Sequence, residues 1–147
     1  MKKRKRWHEQ SQKLLLTWLI EDTRLFDSIK GWITEEDFTE PLYRKAAQEL
    51  FTQYGESGQV NPAKIISRFQ EEEEQKEIAG LFNAKIHEVE TKQDKEKALK
   101  ETIERIKENS IDVRSRQSDP NDLTVVMQLI NEQKELEKLK KTHISID

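Results

Sequence analysis

The three histidines are the residues of this chain best suited to bind a metal ion or to transfer a proton near neutral pH. His8, His87 and His143 lie in separate segments of the sequence. A helical metal site needs ligands three or four residues apart, and none of the histidines has a second histidine at that spacing. We therefore expect all three to be surface residues, and we expect no metal site.

Carboxylates are abundant, but their spacing does not form a converging acid–base pair. Glu36 and Asp37 are adjacent, so on a helix their side chains point about 100° apart. The run from Glu71 to Glu74 suits the solvated first turn of a helix, where the helix dipole favours negative charge. The chain also lacks cysteine, a phosphate-binding glycine loop and a nucleophile elbow. We expect it to have no enzymatic activity of its own and no cofactor.

Positive charge is concentrated at the beginning of the chain. Residues 2 to 6 are all lysine or arginine, whereas residues 7 to 90 hold 9 basic against 17 acidic residues, and residues 91 to 147 hold 12 of each. An acidic body repels a phosphate backbone, so only residues 2 to 6 would attract nucleic acid. We interpret residues 1 to 6 as the remnant of a linker, with contact to DNA as the alternative. No apolar run is long enough to span a membrane.

Apolar residues at helical spacing place these side chains on a succession of short helices. All ten aromatic residues and all four glycines lie between Trp7 and Phe82. This composition predicts a compact bundle of five or six short helices over residues 7 to 90, without strands, and a domain boundary between Phe82 and Thr91. The expected elements are a helix from about Trp7 to Glu21, a short helix through Leu25 and Ile29, a capped turn at Thr34, a helix from Pro41 that Gly55 ends, a helix from Pro62, and a helix that follows the acidic run and buries Ile78 and Leu81.

Residues 91 to 147 contain no aromatic residue and no glycine, and Pro120 divides them into two amphipathic stretches. Thr91 with Asp94 resembles a capping box at the start of the first stretch, and Asp119 is a cap candidate at the start of the second. The pattern predicts a long antiparallel two-helix hairpin, and the fold class is all-α. Each helix of such a hairpin buries a single stripe, so we expect this arm to need a neighbouring domain or a partner protein.

Four segments of the chain carry a family resemblance. They are Leu19 to Asp22, Thr34 to Phe38, Leu42 to Phe51 and Ile65 to Phe69. In this order they resemble the C-terminal helicase-interaction domain of bacterial DNA primase of the Bacillus and Geobacillus type, and the resemblance covers essentially the whole chain. The order of a short-helix bundle followed by a long hairpin is also similar to the N-terminal domain of the replicative helicase.

The primase resemblance implies a function without catalysis in this chain. In that family the hairpin docks on the N-terminal collar of the hexameric replicative helicase, and the helical bundle stimulates the helicase. The zinc-binding and nucleotidyltransferase domains that make RNA primers precede this region, and their cysteines and Asp-x-Asp motif are absent here. The resemblance thus implies a cytoplasmic component of the bacterial replisome that tethers primer synthesis to the replication fork.

Within the hairpin, we predict that the end of the second helix binds the helicase. Leu136 and Leu139 are the predicted anchors, and the lysines that surround them are predicted to steer the domain toward an acidic rim. These lysines are Lys138, Lys140 and Lys141. Apart from this site we expect no membrane contact and little or no contact with DNA.

Other interpretations of the same residues stay open. The hairpin core is an alternative position for several apolar residues, namely Leu99, Ile103, Ile106, Ile130 and Leu136, and the lysines could complement the C-terminal end of the helix dipole. Two other functions also stay open. One is a DNA-binding regulatory domain that uses residues 2 to 6 and the basic residues of the arm. The other is a scaffold that self-associates by pairing its arms into a four-helix bundle.

Overall fold

The computed structural model describes residues 2–83 and 92–144, and the regular structure of those residues is entirely helical. The predicted all-α class is confirmed. In chain order the elements are α1 (Lys2–Glu21), α2 (Leu25–Ile29), the 3₁₀ turn η1 (Glu35–Asp37), α3 (Pro41–Ser57), α4 (Pro62–Ile66), α5 (Glu72–Asn83), α6 (Lys92–Gln117) and α7 (Leu123–Lys140). Within the described part, no helix is long and apolar enough to cross a membrane.

Helix α1 forms one wall of the core. Leu15, Leu16, Trp18 and Leu19 are buried on one wide face of this helix. The helix begins at Lys2 rather than near Trp7, so the backbone of the expected linker is helical. Lysine, arginine, glutamate and glutamine are good helix formers, and their run ahead of the apolar face allows the helix to begin earlier.

Local capping explains how η1 and α4 begin. The backbone N–H of Thr34 donates to the Asp37 carboxylate at 3.0 Å, as expected for the predicted capped turn. Ahead of α4, the side-chain oxygen of Asn61 accepts a hydrogen bond from the backbone N–H of Lys64 at 3.2 Å. Pro62 follows in the first helical position, where its missing N–H costs nothing.

Helix α3 is longer than the sequence pattern predicts. Gly55 was expected to end it, but the helix continues to Ser57 and ends where Gly58 adopts a φ of 71°. This left-handed conformation is one that glycine reaches without a steric penalty, and it is the common way to close a helix. Gly58 is therefore the stop signal, and Gly55 is an ordinary residue of the last turns.

Helices α6 and α7 lie side by side and antiparallel. Contacts between them join an early residue of α6 to a late residue of α7 and a late residue of α6 to an earlier one of α7. Lys100 Nζ donates to the backbone oxygen of Lys140 at 2.8 Å, whereas Arg114 pairs with Glu132 at 2.7 Å. Helix α7 begins at Leu123, not at Pro120. The Asp122 side chain caps it by accepting from the backbone N–H of Val125 at 3.3 Å.

Asp119 and Pro120 instead belong to the turn that joins the two helices. The Asp119 carboxylate accepts a hydrogen bond from the backbone N–H of Asn121 at 2.9 Å, which is a local turn rather than a helix cap. At the other end of α6, the predicted cap at Thr91 and nearly all of the predicted boundary region between Phe82 and Thr91 fall on residues 84–91, which lie outside the described residues.

One hydrophobic core extends from α1 through α6 to α7. Leu99, Ile103 and Ile106 of α6 are buried, as the hairpin-core interpretation predicted. Helix α6 packs along α1 on one side and along α7 on the other. The neighbour that the hairpin needs is thus provided by α1, and α7 becomes the outermost layer.

Candidate docking surface on the outer face of the last helix

The inner side of α7 completes the core. Leu136 and Leu139, the predicted anchors for a partner, are each only 1% exposed and pack in the hydrophobic core with residues of α6. Their side chains do not reach the surface of this structure, which leaves almost none of either side chain for a partner to contact directly. The alternative, that Leu136 belongs to the hairpin core, is confirmed.

A partly buried group of charged and polar side chains connects this inner side to the bundle. Its members are Asp37 of η1, Lys107, Ser110 and Arg114 of α6, and Glu132 of α7, and we call them the Asp37 cluster. Asp37 is 2% exposed. Lys107 Nζ lies 3.1 Å from an Asp37 oxygen and 3.0 Å from a Glu132 oxygen, so this ammonium bridges the two carboxylates.

The remaining donors of the Asp37 cluster satisfy both carboxylates. Ser110 Oγ donates to Asp37 Oδ1 at 2.8 Å. The Arg114 guanidinium donates two hydrogen bonds to Glu132, of 2.7 Å and 2.8 Å, and a longer one to Asp37 at 3.4 Å. Two positive and two negative groups are therefore matched and fully hydrogen-bonded, which is the condition for burying charge without a large penalty.

The surroundings shift the pKa values of two members in the direction that keeps both charged. Burial on its own would raise the pKa of Glu132, but the hydrogen bonds and charges of Arg114 and Lys107 outweigh burial and leave this pKa below its ordinary value of 4.5. Burial would likewise lower the pKa of Arg114, and the hydrogen bond to Glu132 raises it instead. The link between α6 and α7 is thus an ion pair at neutral pH.

A second polar junction holds α6 to the start of α3. Thr39 Oγ1 accepts hydrogen bonds from Gln12 of α1 and from Asn109 of α6, both at 2.9 Å. Gln12 is fully buried and also accepts from the backbone N–H of Glu40 at 3.1 Å. Together with the Asp37 cluster, this junction fixes the orientation of α6, and through α6 that of α7.

The outer face of α7 is different, because apolar side chains there are exposed. Leu123 is 72% exposed, Met127 64% and Ile130 49%. Their spacing of four and three residues puts them within about 60° of arc on the helix, on the side opposite Leu136 and Leu139. Ile130, which the core interpretation placed inside the hairpin, is therefore on the outside. Three aligned, exposed, large apolar residues are typical of a protein-binding surface.

Three lysines continue the same face toward the C-terminal end of α7. Lys134, Lys138 and Lys141 fall within about 80° of the apolar residues when the helix is viewed along its axis. All three are exposed, and among the described residues none of them forms an ion pair. Lys138 and Lys141, two of the predicted steering residues, thus have free access to a partner.

Lys140, the third predicted steering lysine, points toward α6 instead. Its Nζ lies 2.9 Å from a Glu108 oxygen and 3.6 Å from a Glu137 oxygen. The hydrogen bond and charge of Glu108 raise the pKa of this ammonium. A lysine engaged within the hairpin is less available to a partner, so the structure separates Lys140 from Lys138 and Lys141.

Sequence reasoning missed Leu123, Met127 and Lys134 as surface residues. Their signal was present, since they repeat at helical spacing on the side opposite Leu136. We call the six residues Leu123, Met127, Ile130, Lys134, Lys138 and Lys141 the outer face of α7.

The described residues contain no group of histidine and acidic side chains that could hold a metal ion. His143 lies 3.4 Å from the buried Glu96, and His87 lies outside the described residues. Glu72 to Glu74 occupy the first turn of α5.

Comparisons with protein-family models, with curated proteins and with solved structures find no match for this chain.

Proposed function

We propose that this chain is a protein-interaction domain without catalytic activity, namely the helicase-interaction domain of a bacterial primase. In this proposal it binds the N-terminal collar of the hexameric replicative helicase in the bacterial cytoplasm, tethers primer synthesis to the fork and stimulates the helicase. The observation that carries the proposal is the exposed apolar stripe of Leu123, Met127 and Ile130. The order of segments that resembles the primase domain supplies the identity of the partner.

The position of the stripe supports docking through α7. This helix is the outermost layer of the fold, and its inner side is already occupied by α6 and by the Asp37 cluster. A partner can therefore add a helix or a helix pair to the outside of α7 without disturbing the core. The predicted helicase-binding region is retained in this proposal, but the contact residues shift from Leu136 and Leu139 to the opposite face of the same helix.

Calorimetry tests this function. The full chain is titrated into the purified N-terminal domain of the helicase, beside a variant with Leu123→Ser, Met127→Ser and Ile130→Ser. We expect the unmodified chain to bind at micromolar concentrations and the variant to lose at least about tenfold in affinity, because central apolar contacts dominate most interfaces. Absence of a complex at tens of micromolar would reject the helicase as the partner.

A matched control comes from α1. Leu14 is also a large apolar residue at the surface, 36% exposed, but it lies on a different helix. Leu14→Ser should leave the affinity unchanged. Equal losses with Leu14→Ser and with the α7 variant would mean that the stripe has no special role.

Self-association is a second candidate function, and the same stripe favours it, because two copies could pair their α7 helices. Sedimentation across a hundredfold range of concentration distinguishes the two. A dimer that disappears in the α7 variant, together with no binding to the helicase domain, would support the scaffold.

A further inference from the structure

The outer face of α7 has two chemically different ends. Its first half presents Leu123, Met127 and Ile130, and its second half presents Lys134, Lys138 and Lys141. At a rise of about 1.5 Å per residue, the apolar part is about 10 Å long, and the lysines lie about 16 to 27 Å from Leu123. The face therefore has a direction, with an apolar front near the hairpin turn and a basic rear.

The lysines in the second half of the outer face are not paired with carboxylates as the charges of the Asp37 cluster are. Glu137 also lies on this side of α7, but its carboxylate is within 3.6 Å of Lys140 and accepts a hydrogen bond from Gln133 at 3.3 Å. Among the described residues, no carboxylate forms an ion pair with Lys134, Lys138 or Lys141. The rear of the face thus presents three ammonium groups that a partner could neutralise.

We infer that the partner is a protein surface with the complementary layout: an apolar strip about 10 Å long, followed by a group of carboxylates beyond one end of it. This inference rests on the proposed function and adds the chemistry of the partner and the polarity of docking. The apolar contact holds the complex together, and the carboxylates select the direction in which α7 lies. Reversing α7 would place lysines on the apolar strip and leave the carboxylates unpaired.

A protein partner fits this face better than a nucleic acid does. A row of lysines alone could follow phosphates. However, half of this face is apolar, and residues 7 to 90 carry an excess of 8 negative charges that would repel a nucleic acid. The apolar half has no role on a phosphate backbone, whereas both halves are used on an acidic, partly apolar protein surface.

Binding kinetics distinguish the role of the apolar half of the outer face from that of its lysines. Using the full chain and the helicase N-terminal domain, we compare the apolar variant described above with Lys134→Gln, Lys138→Gln and Lys141→Gln combined. We expect the lysine variant to slow association by about tenfold at low salt, with less than about a twofold change in dissociation. We expect the apolar variant to speed dissociation by more than about tenfold. The same loss of three charges from exposed lysines elsewhere, Lys64→Gln, Lys76→Gln and Lys97→Gln, should leave both rates within about twofold.

The polarity is tested by crosslinking, which the absence of cysteine makes site-specific. Met127→Cys and Lys138→Cys each carry one photoreactive probe, and mass spectrometry locates the attachment on the helicase domain. We expect the Met127 probe to attach to an apolar peptide and the Lys138 probe to a peptide rich in aspartate and glutamate.

The outcomes distinguish the failure of this inference from that of the proposed function. No complex with the unmodified chain rejects the helicase and the inference with it. A complex that both variants leave intact rejects the inference and the docking through α7, and leaves only the helicase as the partner. Probes that attach in the reverse order reject the inference alone. If the lysine variant binds the helicase normally but loses salt-sensitive binding to a DNA oligonucleotide, measured by anisotropy, the rear of the face serves phosphates and the inference is also rejected.

Discussion

The two sides of α7 use the same kinds of residue with opposite results. On the inner side, Leu136 and Leu139 are buried and Glu132 is gripped by Arg114 and Lys107. On the outer face, the apolar residues of the first half are half to three-quarters exposed, and the lysines of the second half have no ion pair with any described residue. On one side of this helix, apolar and charged side chains are buried or paired within the chain. On the other side, apolar side chains stay exposed and the lysines have no described ion pair.

This difference separates residues needed for folding from residues available for binding. Burying an apolar side chain or matching a buried charge contributes to stability, so the inner side determines where α7 lies. Exposed apolar residues contribute little to stability, because they remain in contact with water. We therefore expect substitutions on the inner side of α7 to change the free energy of unfolding strongly, and substitutions on the outer face to change it little.

The largest effect is expected at Asp37. Asp37→Asn removes the charge that Lys107 faces in a buried site, while keeping the size of the side chain. We expect the free energy of unfolding to fall by about 3 to 4 kcal/mol, because a buried ammonium loses one of its two counterions. Urea denaturation followed by circular dichroism measures this change.

The neighbouring residue supplies the control for Asp37. Glu36→Gln removes the same charge one residue earlier, where the side chain is exposed, and should change stability by less than about 0.5 kcal/mol. Equal effects at the two positions would show that the Asp37 cluster does not stabilise the junction between η1 and α6.

A somewhat smaller effect is expected from the apolar part of the inner side. Leu139→Ala leaves a cavity between α7 and α6 and should destabilise the fold by about 2 to 3 kcal/mol. Urea denaturation of this variant measures the loss. A change below about 1 kcal/mol would mean that α7 is held mainly by its charges.

Lowering the pH should reduce the stability of the folded chain, because Glu132 on the inner side of α7 becomes protonated. Its pKa is lowered in the folded chain, so its contribution to stability is complete above the unfolded value of 4.5 and is lost as the pH falls through the lower folded value. Stability of the unmodified chain should therefore fall more steeply between about pH 5 and pH 3 than that of Glu132→Gln. Parallel curves, measured by thermal unfolding at each pH, would contradict the ion pair with Arg114.

The sequence was sufficient to predict the helices, because they depend on local patterns. Thr34 and Pro62 begin their elements as expected, and Leu99, Ile103 and Ile106 form the buried stripe of α6. Errors occurred where two local signals compete. Pro120 suggested a helix start, but Asp122 caps α7, and Gly55 suggested a helix end before Gly58.

The candidate site was harder to predict, since it depends on which side of α7 faces α6. Both sides of the helix carry apolar residues at helical spacing, so the pattern alone does not distinguish Leu136 from Met127. The choice is made by long-range contacts, above all the pairing of Glu132 with residues of α6 and, through Lys107, with Asp37 of η1. The partners of Asp37 on α6 lie 70 to 77 residues away in sequence, and no local pattern indicates them.

The smallest effects on stability are expected on the outer face. Leu123→Ala, Met127→Ala and Ile130→Ala should each change the free energy of unfolding by less than about 0.5 kcal/mol, because these side chains remain exposed to solvent in the folded chain. Urea denaturation of the three variants beside Leu139→Ala gives the contrast within one helix. A loss of more than about 1.5 kcal/mol at any of them would mean that the residue supports the fold. Such a residue could then no longer be assigned to binding on the basis of its exposure alone.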